Sequence, residues 1–184
     1  MRTFDVAIEG PSILLNNPAG MRRSSVKKGG ETSIPTPEEE AERSCYWMPD
    51  KSSVMFPGDN IQSAMIRVAG GYKANKKALT PYIAGSIQVS PEHVPFGTKK
   101  YIIDTRRAVI QRQGILRSRA KLLNWKLAFN ILVDDDFPVR EVGDTLKQML
   151  EETGRRVGIG DFRPEKRGRF GKFTVTKFQE VKSK

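Results

Sequence analysis

The chain has 184 residues, of which 32 are Lys or Arg and 21 are Asp or Glu, so its net charge is +11. No apolar run approaches the ~18 residues that cross a bilayer, so we expect no membrane association. One cysteine and one histidine exclude an internal disulfide and a Cys/His zinc site, and we expect a single cytoplasmic domain over residues 1–184 without metal or cofactor.

The first third of the chain predicts a strand, a long loop and a helix. Alternating apolar residues indicate a half-buried strand over residues 3–9 that ends at Gly10 and Pro11. Residues 16–55 have no periodicity, and we interpret them as a long mobile loop. Apolar residues then recur at helical spacing over residues 61–69, with Asp59 or Asn60 as the cap and Gly70 at the end.

The remaining elements complete an α+β pattern. Residues 83–89 predict a strand, residues 91–124 a basic insertion with a hairpin turn near residues 112–115, and residues 127–133 a third strand. A helix is predicted from Pro138 to Thr153 with Gly154 as its C-cap, followed by a last strand that contains Phe173 and Val175. The order strand, helix, strand, insertion, strand, helix, strand is that of a ferredoxin-like (βαββαβ, RRM-like) core.

The charge is segregated along the chain. Residues 99–126 contain nine basic residues and one acid, and residues 155–184 contain ten basic residues and three acids. Residues 134–152 contain seven acids and two bases. Basic segments of this size favour a polyanionic partner, of which nucleic acid is the commonest, over a surface that is basic only for solubility.

A glycine-rich loop over residues 155–172 lies between the predicted second helix and the last strand. It is neither a dinucleotide fingerprint, since Arg163 stands where the third glycine belongs, nor a Walker A loop, since Phe173 follows Gly171 and Lys172. Glycines expose backbone amides to phosphate, arginines add charge, and Phe162 or Phe170 would stack on a base unless it belongs to the core.

Three segments resemble the RAMP superfamily of CRISPR ribonucleoproteins, in particular the backbone subunits that coat guide RNA. The sequence from Phe56 to Arg67, which reads FPGDNIQSAMIR, is similar to the box that opens the first helix of that family. The basic segment that begins at Ile103 resembles the thumb-like insertion, and residues 158–173 resemble the glycine-rich loop before the last strand. Serine, lysine and glycine positions of the helix box differ here, and residues 161–166 lengthen the glycine loop.

The resemblance implies a non-catalytic subunit that forms an oligomer or filament along a single-stranded guide RNA, with a complementary target strand as a further partner. The basic, glycine and aromatic residues that we take as candidate nucleic-acid contacts are Arg22, Arg23, Lys27, Lys28, Arg67, Arg106, Arg107, Arg112, Arg117, Arg119, Gly158, Gly160, Phe162, Arg163, Lys166, Arg167 and Arg169.

Three alternatives stay open at the level of sequence. The first is a single-stranded nucleic-acid-binding protein of a phage or other mobile element. The second is a metal-dependent endoribonuclease, for which Asp50 is the weak catalytic candidate, with Asp59 as a second carboxylate. The third is a structural oligomer in which the basic surface of one copy contacts residues 134–152 of another.

Overall fold

Antiparallel strands form the centre of the computed structural model, which describes residues 1–21, 35–110 and 113–181. The strands are β1 (Arg2–Leu14), β2 (Tyr46–Trp47), β3 (Val54–Pro57), β4 (Lys73–Ala74), β5 (Lys77–Ala78), β6 (Ile87–Ser90), β7 (His93–Pro95), β8 (Ile102–Ile110), β9 (Gln113–Val133) and β10 (Thr174–Val181). The α-helices are α1 (Pro18–Met21), α2 (Pro37–Ser44), α3 (Gly58–Ala69), α4 (Thr80–Gly85) and α5 (Val142–Glu152). A π-helical turn (Thr153–Val157) and a 3-10 helix (Pro164–Lys166) follow α5. The fold class is α+β, as predicted.

The main sheet has the strand order β10-β1-β9-β6, and every neighbouring pair is antiparallel. Strand β8 pairs with the outer part of β9, away from this path. Strands β2, β3 and β7 form a second sheet, and β4 pairs with β5 in a short hairpin. Helix α3 lies between β1 and β6 in sequence and α5 between β9 and β10, so each connects two strands of the main sheet.

The core lies between the main sheet and the helices α3 and α5. Alternate residues of β1 and β9 are buried, and they pack with the apolar faces of the two helices. The predicted alternation over residues 127–133 is confirmed, because Leu127, Phe129, Ile131 and Val133 are all buried. Phe173 is buried and Thr174 exposed, but β10 begins at Thr174, so Phe173 lies just before the last strand rather than within it as predicted.

The prediction that β1 ends at Gly10 and Pro11 is wrong. The strand continues to Leu14, and its pairing with β9 resumes at Ser12 opposite Leu123. Pro11 has no partner in this ladder because it lacks an N–H, and Asn124 across from it has a positive φ of 47°. A local irregularity in both strands therefore accommodates the proline without ending either one.

The interpretation of residues 16–55 as one long loop is wrong for the part of it that the structure describes. Helix α2 begins with a capping box, in which the Thr36 hydroxyl accepts from the Glu39 N–H and the Glu39 carboxylate accepts from the Thr36 N–H. Most residues of α2 are polar, so the sequence there shows no apolar residues at helical spacing. Residues 22–34 lie outside the described ranges.

Several element boundaries differ from prediction. Helix α3 is confirmed, but Pro57 is its N-cap, so neither Asp59 nor Asn60 caps it. The predicted strand over residues 83–89 divides into the end of α4, where Ile83 is buried, and β6. Helix α5 begins at Val142 rather than at Pro138, and its C-cap is Thr153 rather than Gly154. No helix of the described ranges has the length and apolar character needed to cross a membrane.

Candidate nucleic-acid interface

A long hairpin, residues 102–121, extends from the main sheet. Strand β8 pairs with β9 from Ile102 opposite Lys121 to Ile110 opposite Gln113, so the predicted hairpin is confirmed. The last described pair is Ile110 opposite Gln113, so Gln113 and Gly114 of the predicted turn at residues 112–115 belong to β9. Residues 111 and 112, and with them the candidate Arg112, lie outside the described ranges. The insertion is not a separate unit, because β9 runs without interruption from the hairpin into the core sheet.

One face of the hairpin base holds a carboxylate shared by two cations. Asp104 forms an ion pair with Arg106 and accepts a hydrogen bond of 3.0 Å from Lys121 Nζ. The hydrogen bond from Arg106, and then that from Lys121, lowers the pKa of Asp104 below its ordinary value. Arg106 is therefore held in place by a partner rather than exposed as a free charge.

Helix α2 covers the edge of β9 where β1 ends. Glu40 accepts a hydrogen bond of 2.8 Å from the Ser118 N–H and one of 2.5 Å from Arg117, and Ser44 Oγ accepts from the Ala120 N–H at 2.8 Å. Side chains thus satisfy backbone donors that would otherwise be unpaired at a buried strand edge. Arg117, a predicted nucleic-acid contact, is committed to this structural role.

The glycine loop, residues 155–172, is packed closely against β1. Gly158 and Gly160 have φ values of 71° and 77°, and a Cβ on Gly160 would lie 2.6 Å from the Leu14 carbonyl oxygen. The Asp161 N–H donates to Leu14 O, and the Gly171 N–H donates to Ser12 O, both at 2.8 Å. These glycines are required for the backbone conformation and for close packing against β1. The sequence pattern alone could not distinguish this role from the exposure of backbone amides to phosphate.

The glycine loop and the base of the long hairpin contact each other through aromatic rings. The Arg106 guanidinium lies 4.7 Å from the centre of the Phe170 ring and 6.0 Å from that of Phe162, and Lys121 Nζ lies 5.7 Å from the Phe170 ring. Phe170 is buried, whereas Phe162 is half-buried with a positive φ of 48°. Of the two, Phe162 is the one with a partly accessible side chain for stacking.

Arg119, on the long hairpin, pairs with a carboxylate of the glycine loop. Arg119 Nε is 2.9 Å from Asp161 Oδ2, close enough for an ion pair, yet neither atom forms a well-oriented hydrogen bond within the described part of the chain. The two side chains are therefore close enough to attract each other as charges, but they are not oriented for a hydrogen bond. Arg119 is only 12% exposed, so this candidate lies too deep for direct phosphate contact in the present conformation.

Helix α3 and the glycine loop share a cleft of about 300 Å³, which we call the loop cleft. Arg67 is exposed and lies 3.5 Å from Glu165, which also accepts from Arg163 at 2.7 Å. Arg163 further donates to the Gly160 carbonyl at 3.1 Å. Polar residues that were not among the candidate nucleic-acid contacts also line the loop cleft, namely Asn16, Asn60 and Ser63. Asn60 and Ser63 lie within the helix box, which was the available signal for them.

On the long hairpin and the glycine loop, six exposed cations form no ion pair with any residue that the structure describes. They are Arg107 on the hairpin and, on the glycine loop, Arg155, Lys166, Arg167, Arg169 and Lys172. Arg22, Arg23, Lys27 and Lys28 lie in residues 22–34, beyond the described ranges. The candidates therefore divide into exposed charges and charges that already have protein partners.

Asp50 lies in an exposed turn. Its Oδ1 accepts a hydrogen bond of 2.9 Å from the Ser52 N–H, and hydrogen bonds with Ser52 lower its pKa. Within the described ranges, no three His, Cys, Asp or Glu side chains are close enough together to hold a metal ion. Asp50 has its hydrogen bonds within its own turn, as an Asx residue of a loop does.

Comparison with known proteins identifies the fold. Over 98% of its length the chain matches a chain of the type III-B Cmr-beta complex bound to cognate target RNA, with a TM-score of 0.64 and 12% identity, and it spans 61% of that chain. It also matches a chain of a type IV-B CRISPR complex over 98% of its length and 91% of the other, with a TM-score of 0.53 and 13% identity. This chain has the fold of CRISPR complex subunits. No protein-family model and no curated protein sequence matches it.

Proposed function

We propose that the protein is a non-catalytic, RNA-binding backbone subunit of the RAMP type, which assembles in several copies along a guide RNA within a CRISPR ribonucleoprotein. The sheet order supports a ferredoxin-like core, since the first, second, third and fourth core strands are β1, β6, β9 and β10 and the order across the sheet is fourth, first, third, second. The likeness to chains of CRISPR complexes supports the same assignment.

The observation that carries the proposal is the contact between the glycine loop and the long hairpin, with unpaired cations on both. Arg106 and Lys121 contact Phe170 from the hairpin base, and Arg107 and the loop cations are exposed. Cations without protein partners are available for phosphate, and phosphate contacts position a strand without reading its sequence. We propose Arg107, Lys166, Arg167 and Arg169 as strand contacts, with Phe162 as a stacking surface.

The remaining candidates take other roles in this proposal. Arg67 and Arg163 share Glu165, so a phosphate in the loop cleft competes with a carboxylate for them. Arg106, Arg117 and Arg119 hold protein parts together and act on RNA through the position of the hairpin. We further propose that the protein works in the cytoplasm, a reducing compartment that fits its buried free thiol, Cys45.

The test is a charge reversal on the glycine loop. Arg167→Glu with Arg169→Glu is expected to weaken binding of single-stranded RNA at least tenfold at low salt, and the difference is expected to shrink as salt rises. Arg140→Glu with Lys147→Glu is the matched control, because it makes the same change in charge at two exposed residues near α5. Equal losses in both double variants, or no RNA binding by the unmodified protein, would refute the proposal.

Competition between RNA and DNA of one sequence separates this proposal from a single-stranded DNA-binding role. The phosphate and stacking contacts proposed above do not distinguish RNA from DNA, so a guide-RNA subunit needs a further contact to the 2′-hydroxyl and is expected to prefer RNA. Preference for DNA would favour the phage or mobile-element alternative.

A further inference from the structure

A second and larger cleft, of about 1040 Å³, lies on the other side of the glycine loop. We call it the sheet cleft, because β1, β9 and β10 form one wall and the C-terminal end of α5 forms the other. The two ends of the glycine loop, Arg155 and Lys172, line the sheet cleft, whereas Gly158 and Gly160 line the loop cleft. Its volume is at the upper end of the range for ligand-binding clefts.

Two aromatic residues, Trp125 and Phe173, form the floor of the sheet cleft, and packing leaves only 3% and 5% of their surface exposed. Trp125 lies edge-on between Phe96 and Phe173, with ring centres 6.1 and 6.3 Å away. Gly10 allows this packing, because a Cβ there would lie 2.2 Å from the Lys172 carbonyl oxygen and 2.8 Å from the Trp125 ring. Trp125 Nε1 is buried and has no hydrogen-bond partner within the described residues. An indole donor left unpaired at the wall of a cleft is an unusual cost for a purely structural packing arrangement.

Some of the charges at this cleft are already paired. Lys126 lies 3.5 Å from Glu9, and Glu152 accepts a hydrogen bond of 2.9 Å from the Tyr72 hydroxyl and forms an ion pair with Arg156. The hydrogen bond to Glu152 orients the Tyr72 side chain beside the cleft.

Other charges at the cleft have no partner. Arg155, Lys172 and Glu151 are exposed, and none of them forms an ion pair or side-chain hydrogen bond with any residue that the structure describes. Arg155 and Glu151 both influence the Tyr72 hydroxyl electrostatically, so they belong to the same end of the cleft. An aromatic floor, two cations and one carboxylate without ion pairs match, respectively, the base ring, the phosphate and an amino group on the base of a nucleotide.

We propose that the sheet cleft binds a nucleotide whose base carries an exocyclic amino group. The base lies against the aromatic floor, Glu151 accepts from the amino group, and Arg155 and Lys172 hold the phosphate. The same chemistry has two sources, namely a free nucleotide or one nucleotide of a bound strand. The site differs from the strand contacts of Proposed function, since Arg155, Lys172 and Glu151 are not among them.

The first experiment measures binding of adenosine monophosphate through Trp125. The chain has two tryptophans, so Trp47→Phe leaves Trp125 as the sole reporter. A saturable change in its emission is expected with adenosine monophosphate. Purine riboside 5′-monophosphate, which lacks the amino group, and adenosine, which lacks the phosphate, are each expected to bind about tenfold more weakly. No saturable change in emission and no heat of binding at millimolar nucleotide would overturn the proposal.

Substitutions then test the assigned contacts. Glu151→Ala should abolish the preference for the amino-bearing purine, and Lys172→Ala should weaken adenosine monophosphate binding about tenfold. The matched controls are Glu141→Ala and Lys147→Ala, which change the same charges at exposed residues that do not line the cleft. An equal loss in a control and its test variant would show only nonspecific charge attraction and would overturn the proposal.

Titration with single-stranded RNA tests whether the nucleotide is free or belongs to a bound strand. This experiment rests on the proposed function. If the strand supplies the nucleotide, saturating RNA changes Trp125 emission and excludes adenosine monophosphate. If the ligand is free, RNA binds without displacing it, and the sheet cleft is a separate site. RNA binding without any response of Trp125 to nucleotide or RNA refutes the sheet-cleft site alone, and nucleotide binding without RNA binding refutes the proposed function alone.

Discussion

Gly160 shows at the scale of a single residue why the glycine loop tolerates little change. Its φ of 77° is strained for any residue with a Cβ, and the added atom would lie 2.6 Å from Leu14 O. Gly160→Ala is expected to lower the free energy of unfolding by about 2 kcal/mol, measured by urea denaturation. Gly85→Ala is the control, because a Cβ there meets nothing within 4 Å and φ is not positive. A fully stable Gly160→Ala variant would show that the loop backbone relaxes around it.

Glu40 is the residue that joins α2 to the long hairpin. It is 7% exposed and accepts from both Arg117 and the Ser118 N–H, so its removal leaves a cation and a backbone donor without their acceptor. Glu40→Ala is expected to cost about 2–4 kcal/mol of stability. Glu42→Ala, at an exposed position of the same helix, should change stability by no more than about 0.5 kcal/mol. Similar losses in both variants would contradict a specific role for Glu40.

The sequence predicted an element well where one apolar face of that element is buried. It predicted an element poorly where polar side chains hydrogen-bond to a neighbouring element. The apolar stripe of α3 and the alternation of Leu127 to Val133 were sufficient to identify them. Helix α2 was missed because its function is carried by Glu40 and Ser44, polar residues that bond to β9 rather than enter an apolar core. Its Thr36 and Glu39 capping box was the available signal.

The candidate site was predictable as a set of segments but not as a set of contacts. The long hairpin and the glycine loop were both identified as basic. Sequence cannot tell that Arg106 faces Asp104 and Phe170 while Arg107, the next residue, faces away, until the register of β8 with β9 is known. For the same reason Arg117 and Arg119 were assigned to RNA although both have protein partners.

At the scale of elements, the stability of the contact between the long hairpin and the glycine loop should depend on pH through Asp104. Its two cationic partners lower its folded pKa, so its contribution to stability is present above about pH 4 and is lost as the pH falls through the folded pKa. Asp104→Asn should be roughly 2 kcal/mol less stable at pH 7, and the difference should narrow towards pH 2 in urea unfolding. Asp144→Asn, an exposed change in α5, serves as the control. A constant difference across this range would exclude the assigned titration.

At the scale of the whole molecule, assembly along RNA predicts a regular footprint. Under Proposed function each copy covers a fixed number of nucleotides, so nuclease digestion of RNA with increasing protein should leave fragments that differ by one constant increment. Arg167→Glu with Arg169→Glu should shift the ladder to higher protein concentration without changing the increment. A continuous smear at all concentrations, with RNA still bound, would indicate independent, unregistered binding.

Strand β9 has a mechanical consequence. Its 21 residues pair with β8 at one end and with β1 and β6 at the other, and it would span roughly 65 Å if straight. Glu40, Ser44 and Asp104 bond to the part of β9 that pairs with β8, at Ser118, Ala120 and Lys121. The hairpin and the core sheet therefore share one strand. Tension that a bound strand applies to the hairpin is expected to act on the same ladder that holds β1, at the irregularity around Pro11 and Asn124.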